Sequence, residues 1–278
     1  MAGEYVVCVP SYKRSKVCNT KTLQTLKDNG IPRNKIYVYV ANDEEYDIYE
    51  NELDRNLYNK LYVGIKGLVP VRQFIMDQWG PGKHIVFLDD DISNIDLSLS
   101  PRFKSHSLDY FFRTAFQECL RNKSYIWGVY PVFNPFFRKD RAELSTDLTY
   151  IVGAFYGIIN RPSLKDIQVT ITKENGQKED VERTIKYFIK DGIVLRFNKV
   201  GFNTIYYGKE GGLGTFEERL KPMKIACELL AKKYPEYGTI KVRKNGMTEF
   251  AVRKIKAHTK PGMEKKVSSR RRSPKYRF

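Results

Sequence analysis

The first third of the chain alternates short, wholly apolar runs with polar or amphipathic stretches. Short apolar runs without polar alternation are typical of strands buried on both faces of a parallel sheet. The pattern predicts four such strands, at residues 5–9, 36–40, 61–63 and 84–88.

Helical patterns separate these runs. The spacing of apolar residues predicts helices at residues 20–29, 45–59 and 69–79, and Gly30-Ile31-Pro32 supplies a stop signal after the first. Strand and helix in alternation imply parallel strands joined by right-handed crossovers. We therefore predict an α/β fold built on a mostly parallel sheet.

The pattern changes beyond residue 105. Helices are predicted at residues 107–122, 181–190 and 216–233, and strands at 125–130, 150–159 and 193–198, from runs rich in aromatic and β-branched residues. Two further strands flank an Asn245-Gly246 turn and predict a hairpin over residues 239–253. No internal repeat is visible.

Composition narrows the class of protein. The 278 residues are 41% apolar and 13% aromatic, which favours a folded core over disorder. No apolar run is long enough to span a bilayer, and the predicted first strand begins too early for a signal peptide. We expect a soluble protein of the cytoplasm or nucleus, whose four scattered cysteines are free thiols in a reducing compartment.

The positive charge is concentrated at the C-terminus. The formal charge is +17, and residues 253–278 hold eleven Lys and Arg against the single acid Glu264. A basic tail of this kind binds polyanions by releasing counterions. The alternative is a solvated tail that contributes only solubility.

Three aspartates, Asp89, Asp90 and Asp91, directly follow the fourth predicted strand. Ligands of open α/β sheets bind at the carboxyl ends of strands, and adjacent carboxylates repel one another unless a cation relieves them. Oxygen ligands suit Mg²⁺ or Mn²⁺. The triplet therefore predicts a metal site; the alternative is that Asp91 or Ser93 caps a following turn.

Polar residues leave the first two predicted strands at the same edge of the sheet. After the first come Pro10, Ser11, Tyr12, Lys13 and Arg14. Tyr12 could stack on a base, and Lys13 or Arg14 could neutralise phosphate. The second strand leads into Asn42-Asp43-Glu44, which could hold a base or ribose, or could simply cap the next helix.

Two clusters lie further along the chain. Gly67 permits close backbone approach, and Arg72 could reach a diphosphate or form a salt bridge. Glu179 and Asp180 open a predicted helix, where acids are also favoured by the helix dipole alone. Beside a metal site, such a carboxylate could serve as a general base. Glu182, two residues on, is expected to point elsewhere on the helix, so that Glu182→Gln affects activity far less than Asp180→Asn.

In this order, the motifs resemble those of GT-A glycosyltransferases, and in detail those of the TET/JBP-associated glycosyltransferases. That family includes the base J glucosyltransferase and relatives in phages and large DNA viruses, and the resemblance covers residues 5–215. It implies a GT-A fold and transfer of a sugar from a nucleotide donor, such as UDP-glucose, to hydroxymethylated pyrimidines in DNA.

The resemblance also implies residue roles. Asp91 would bind Mn²⁺ or Mg²⁺ directly, and Asp89 would contact the metal or the donor ribose, with Asp90 beside them. Asp180 would be the base of an inverting reaction, supported by Glu179. The remaining donor-binding residues would be Pro10, Ser11, Tyr12, Arg14, Asp43 and Arg72.

The resemblance divides the chain into a donor half (1–104), an acceptor half (105–215), a C-terminal helix and hairpin (216–257) and a flexible basic tail (258–278). Many GT-A enzymes use a late histidine as a further metal ligand. Here the late histidine is His258, in the basic tail, and a structural or phosphate-facing role is expected instead.

Two other classes stay open. A GT-A enzyme acting on a glycan, lipid or protein would share the donor site, and only the basic tail argues against it. A nucleic-acid-binding protein with a decayed site would not need the intact Asp triplet and Glu-Asp pair. A nuclease is disfavoured because the triplet lacks the dispersed carboxylates of a two-metal site.

Overall fold

The computed structural model describes residues 4–172, 176–204 and 214–259. Its centre is one eight-stranded sheet, accompanied by two small two-stranded sheets. Within these ranges no helix is both long and apolar enough to cross a membrane.

The first half of the sheet is parallel, as predicted. Strands β1 (Tyr5–Pro10), β2 (Ile36–Val40), β3 (Lys60–Val63) and β4 (His84–Leu88) all end within one residue of the predicted bounds. They pair in parallel in the order β3-β2-β1-β4. Their carboxyl ends consequently lie at one edge.

The second half is mixed. After the short β5 (Asn94–Asp96) come β6 (Ile126–Val129), β7 (Leu144–Ser145), β8 (Phe155–Ile159) and β9 (Leu195–Phe197). Strand β8 is antiparallel to both β4 and β6, and β7 is antiparallel to β9. The sheet order continues β4-β8-β6-β9-β7. Only the second half of the predicted strand at 150–159 is in the sheet, because the first half turns into the cavity described below.

Two further antiparallel pairs complete the strands. Strand β10 (Gly201–Asn203) pairs with β5, an addition that the sequence did not predict. Strands β11 (Gly238–Val242) and β12 (Thr248–Val252) form the predicted C-terminal hairpin around Gly246, whose φ is +83°. This hairpin contacts the last helix through Phe250.

The helices follow the predicted order. The first is composite: α1 (Ser15–Cys18), a π-helical turn (Asn19–Leu23) and α2 (Gln24–Asp28). The others are α3 (Asp43–Glu52), α4 (Leu68–Gln78), α5 (Leu108–Asn122), α6 (Glu179–Asp191) and α7 (Phe216–Lys233). Short 3₁₀ turns occupy Arg33–Lys35, Pro135–Phe137 and Lys165–Ile167.

Helix α3 is shorter than predicted. It begins two residues early because the Asn42 side chain accepts a hydrogen bond from the Glu45 amide at 2.9 Å. It ends at Glu52 because Leu53 adopts an extended backbone and is buried in the core. A buried apolar side chain outweighs the helical propensity of the residues that follow.

Apolar side chains fill both faces of the sheet. Along β1, Val7 and Val9 point into one cluster and Val6 and Cys8 into the other. The first cluster is rich in aromatics, and Trp127 packs edge-on against Phe111 and Phe116 of α5. All four cysteines are free and buried, as predicted.

Glu182 connects helix α6 to the loop before it. It is completely buried, and its carboxylate accepts hydrogen bonds from the amides of Thr170, Ile171 and Thr172 at 2.8 to 3.0 Å and from both threonine hydroxyls. Glu182 therefore ties α6 to the preceding loop. Glu182 is not among the residues that line the cavity described below, so it does point elsewhere than Asp180, as predicted.

Glu182→Ala should lower the free energy of unfolding by about 3 kcal/mol, because three backbone amides lose a buried, charged acceptor. Urea denaturation measures the loss. Glu228→Ala, which removes an exposed partner of Lys224 on α7, is the matched control and should change stability by less than about 0.5 kcal/mol. Equal stabilities of the two variants would contradict the anchoring role.

Candidate active site

A cavity of about 730 Å³ opens at the edge where the parallel strands end. Strand β8 runs in the opposite direction, so the segment before it, including Gly153, reaches the same edge. The volume lies in the usual range of small-molecule sites, roughly 300 to 1,000 Å³. Most of the predicted site residues line it: Pro10, Ser11, Tyr12, Arg14, Arg72, Asp89, Asp90, Asp91, Glu179 and Asp180.

Asp90 holds the exit of β1 against the exit of β4. One carboxylate oxygen accepts from the Ser11 hydroxyl and the other from the guanidinium of Arg14. Ser11 also lies 2.6 Å from the hydroxyl of Tyr49 on α3. Both oxygens of this buried side chain are thus used in joining three elements, which suits a structural role beneath the cavity.

Asp91 is also buried but turns towards other partners. One oxygen accepts from Arg14 at 3.1 Å and the other from the hydroxyl of Thr204. Arg14 therefore bridges two members of the triplet, and this bridge offsets the repulsion that adjacent carboxylates would otherwise suffer.

Asp89 is the most accessible of the three, with its side chain 34% exposed. One oxygen accepts from Arg72 at 3.0 Å, and no described residue donates to the other. Partial burial and the nearby carboxylates of Asp91 and Glu179 raise the pKa of Asp89 to about 6, against the opposing effect of Arg72. Burial likewise raises the pKa of Asp90 to about 7, although Arg14 and Ser11 favour its ionised form.

Arg72 lies in the interior, between Asp89 at the end of β4 and Glu179 at the start of α6. Its guanidinium pairs with Glu179, donates to the Gly153 carbonyl at 2.8 Å and bonds Asp89. Burial alone would lower the pKa of Arg72, but the carboxylates of Glu179 and Asp89 raise it, so the side chain stays charged. Arg72 is therefore not part of a surface salt bridge, and its side chain is not exposed as a phosphate ligand would be.

Glu179 is held from both sides. Its second carboxylate oxygen pairs with Arg183, one turn along α6. Because both oxygens are engaged in ion pairs, Glu179 is placed to fix the start of α6 rather than to accept a proton.

Asp180 faces the cavity from the first turn of α6. One oxygen accepts from the Tyr150 hydroxyl and from the Gly153 amide at 3.2 Å. The other accepts only from the neighbouring Val181 amide at 2.9 Å among the described residues. A half-buried carboxylate held in one orientation, with capacity to accept another hydrogen, is the arrangement a general base requires.

Asp43 does not line the cavity. It is exposed in the first turn of α3, where its neighbour Asn42 caps the helix. The geometry at this position agrees with the capping alternative. Tyr12, by contrast, lies in the cavity lining, and the ammonium groups of Lys13 and Lys66 stand 5.4 and 5.5 Å from its ring centre.

Several lining residues escaped the sequence analysis. Lys66, Lys178, Arg219 and Arg243 bring positive charge to the cavity from four separate elements. Arg219 bonds Gln177 at 3.1 Å and Arg243 pairs with Glu249 at 2.7 Å. The Asn-Gly turn identified the hairpin, but nothing in the sequence indicates that the hairpin and α7 cover the site.

His258 lies far from the Asp triplet. Its amide donates to the carbonyl of Gly192, the C-cap of α6, at 2.7 Å. Glu179 and Asp180 stand at the other end of this thirteen-residue helix, about 20 Å away at 1.5 Å per residue. The remainder of the predicted basic tail, from residue 260 onward, lies outside the described residues.

The carboxylates suit a divalent cation that keeps other ligands. In the described ranges no group of three or more His, Cys, Asp or Glu side chains could by itself hold a metal. Asp89 has a free oxygen in the cavity, and Asp91 lies two residues on. Mg²⁺ and Mn²⁺ commonly accept one or two carboxylates and complete their shell with water and phosphate oxygens. The residues therefore fit a nucleotide-bound metal.

Gly153 is required by close packing. A Cβ there would stand 2.8 Å from the Glu179 carboxylate and 3.2 Å from both the Arg72 guanidinium and the Asp180 Cβ. Gly153→Ala should therefore displace the ion pair and the carboxylate next to it, lowering stability by about 1 to 3 kcal/mol and reducing turnover.

Gly80→Ala is the matched control, since a Cβ there meets nothing within 4 Å. Thermal melting and steady-state kinetics of the two variants test the prediction. Wild-type turnover in Gly153→Ala would show that the ion-pair geometry does not support activity.

Among the comparisons with known proteins, only the one with solved structures finds similar proteins. No family model matches the sequence, and neither does any curated protein. GalNAc-T7, solved with UDP, GalNAc and Mn²⁺, is 13% identical over 84% of this chain and 49% of its own, with a TM-score of 0.51. The mannosyltransferase PcManGT from Pyrobaculum calidifontis, solved with GDP-Man and Mn²⁺, is 13% identical over 83% of this chain and 64% of its own, with a TM-score of 0.50.

TarS from S. aureus is 18% identical over 82% of this chain and 66% of the 1-349 fragment, with a TM-score of 0.47. The chain thus spans about two thirds or less of the length of each. The architecture shared with GalNAc-T7 and PcManGT, a mostly parallel central sheet flanked by helices, is the GT-A glycosyltransferase fold, which confirms the predicted fold class.

Proposed function

We propose that this chain is a metal-dependent, inverting glycosyltransferase that uses a nucleotide-sugar donor. The observation that carries the proposal is the pair of carboxylate sets in one cavity: Asp89 and Asp91 at the end of β4, and Asp180 at the start of α6. A transferase needs both, one set for the donor diphosphate and a separate base for the acceptor.

Asp89 and Asp91 would hold Mn²⁺ or Mg²⁺, which would neutralise charge on the leaving diphosphate. Tyr12 is available to stack on the base of the donor. Lys66 stands beside that ring and can pair with phosphate. A UDP-sugar is the proposed donor, in line with the UDP in the GalNAc-T7 structure.

Asp180 would accept the proton of the acceptor hydroxyl. The acceptor oxygen then forms a bond to the anomeric carbon as the bond from that carbon to the phosphate oxygen breaks. The nucleoside diphosphate leaves with the electron pair, and displacement from the opposite face inverts the anomeric centre. Tyr150 and the Gly153 amide keep the carboxylate oriented for this transfer.

The proposed acceptor is a hydroxymethylated pyrimidine in DNA. Two features support it: the resemblance to the TET/JBP-associated glycosyltransferases, and positive charge. The chain carries +17 overall, and four cations come to the cavity from separate elements. Cationic surfaces bind nucleic acid through its phosphates.

A panel experiment tests donor and acceptor separately. The protein is incubated with Mn²⁺, one of several UDP- or GDP-sugars, and DNA containing 5-hydroxymethyluracil, 5-hydroxymethylcytosine or neither, and the digested nucleosides are weighed by mass spectrometry. We expect one hexose added to a hydroxymethylated base only. Donor hydrolysis without transfer to DNA would reject the acceptor, and absence of both would reject the enzyme class.

A further inference from the structure

Two phenylalanine rings project from the segment that follows β6. Phe136 is 67% exposed and Phe137 50% exposed, and their centres lie 5.4 Å apart in an edge-to-face arrangement. Large apolar side chains are seldom left together in water unless they bind something. They belong to the 3₁₀ turn Pro135–Phe137, whose first residue follows the capping Asn134.

A completely buried arginine anchors the backbone at the end of this turn. Arg138 is 0% exposed, and its guanidinium donates to the carbonyls of Phe133 and Lys199 at 2.6 and 2.7 Å and pairs with Asp96 on β5. With a further bond from Nε to the Phe133 carbonyl at 3.1 Å, this buried charge makes four hydrogen bonds, which hold its backbone in one place. The two exposed rings are therefore presented rigidly and do not belong to a loop that could fold them inward.

The turn that carries the rings follows closely on residues of the cavity wall. Pro131 and Val132 line it, and Val132 is itself exposed. Phe136 is four residues from Val132, so even a fully extended chain places it within about 14 Å of the cavity wall. That distance corresponds to a few nucleotides of a polynucleotide strand.

The surroundings are cationic. Lys139 stands 5.4 Å from the centre of the Phe136 ring, and Lys199 donates to the Lys139 carbonyl. Arg141, four residues after this turn, is exposed and lies 4.6 Å from the ring centre of Tyr130. Against these three cations the exposed acid of the segment is Asp140.

We propose that Phe136 and Phe137 form a stacking platform for unpaired bases of the acceptor strand next to the target nucleotide. Flat rings flanked by Lys and Arg match the two recurring elements of single-stranded nucleic acid, base faces and phosphates. An enzyme that modifies a base must take it out of the duplex or act on a single strand, which leaves neighbouring bases unstacked. The inference rests on the proposed DNA acceptor and deepens it.

The rings could also stack on the sugars of a neutral glycan. The adjacent cations favour the nucleic acid, because a neutral polymer gives Lys139, Arg141 and Lys199 nothing to pair with. Salt dependence separates the two occupants, since only a polyanion releases counterions on binding.

The test uses the full chain and a labelled single-stranded oligonucleotide containing 5-hydroxymethyluracil, followed by fluorescence anisotropy. The double variant Phe136→Ala/Phe137→Ala should bind about tenfold to a hundredfold more weakly, because base–aromatic stacking is lost. Its salt dependence should be unchanged, because all cations remain. The control Ile48→Ala/Leu120→Ala removes two exposed apolar side chains from α3 and α5 and should bind like wild type.

Hydrolysis of the UDP-sugar without DNA reports the donor site and should be equal in all three proteins. If wild-type protein glycosylates DNA and the double variant binds it equally well, the platform is wrong and the proposed function stands. If the double variant loses affinity only for a neutral polysaccharide, the rings bind glycan and the inference is overturned. Loss of DNA affinity with intact donor hydrolysis supports it.

Discussion

Asp180→Asn should lower turnover by a factor of about 10² to 10⁴, the usual contribution of a positioned base, and leave donor affinity close to that of wild type. The amide oxygen of Asn can still accept from the Tyr150 hydroxyl and the Gly153 amide, so the side chain keeps its place. What is lost is the ability to take a proton. Steady-state kinetics with calorimetric titration of UDP separates the two effects.

Asp47→Asn, at an exposed position on α3, controls for the loss of one negative charge and should keep normal turnover. The competing explanation is that Asp180 only begins its helix. Asp180 is the second residue of α6 and not its cap, so Asn would lose only a favourable charge near the helix N-terminus, roughly 0.3 to 1 kcal/mol, and that explanation predicts an active variant. Near-normal turnover in Asp180→Asn would sink the assignment, and Glu179 and Glu182 could not replace Asp180, since both are buried among fixed partners.

The strands of the first half could be predicted because each is a continuous apolar run between clear breakers. Residues 36–40 and 84–88 match the structure at both ends. The three-residue strands β5 and β10 escaped because such short segments carry no measurable periodicity. The direction of β8 escaped too, since an apolar strand reads the same whichever way it runs.

The sequence predicts those parts of the site that lie directly at the ends of strands. Asp89 to Asp91 follow β4 and Ser11 follows β1, and parallel pairing alone brings them together. Arg72 and Glu179 are 107 residues apart, and no local sequence pattern indicates that they form an ion pair. A sequence shows that both side chains are charged, but not that they share one buried ion pair.

Asp91→Asn should remove most of the Mn²⁺-dependent binding of UDP. The loss should equal or exceed the roughly 10- to 100-fold that replacing an outer-shell residue of a metal site costs, because a direct ligand loses its charge. Binding of UDP without Mn²⁺ should be almost unchanged. Calorimetric titration of UDP with and without the metal measures both.

Asn is preferable to Ala at this position for a reason visible only in the structure. From the sequence, Asp91→Ala would relieve repulsion and leave the fold nearly intact. Yet Asp91 is buried and accepts from Arg14 and Thr204, so Ala would leave both donors without this partner and destabilise the exits of β1 and β4. In Asp91→Asn, one side-chain oxygen remains as a hydrogen-bond acceptor. The control Asp43→Asn, outside the cavity, should retain metal-dependent binding of UDP. If Asp43→Asn lost as much affinity as Asp91→Asn, the loss would not depend on where the carboxylate lies, and Asp91 would not be supported as a metal ligand.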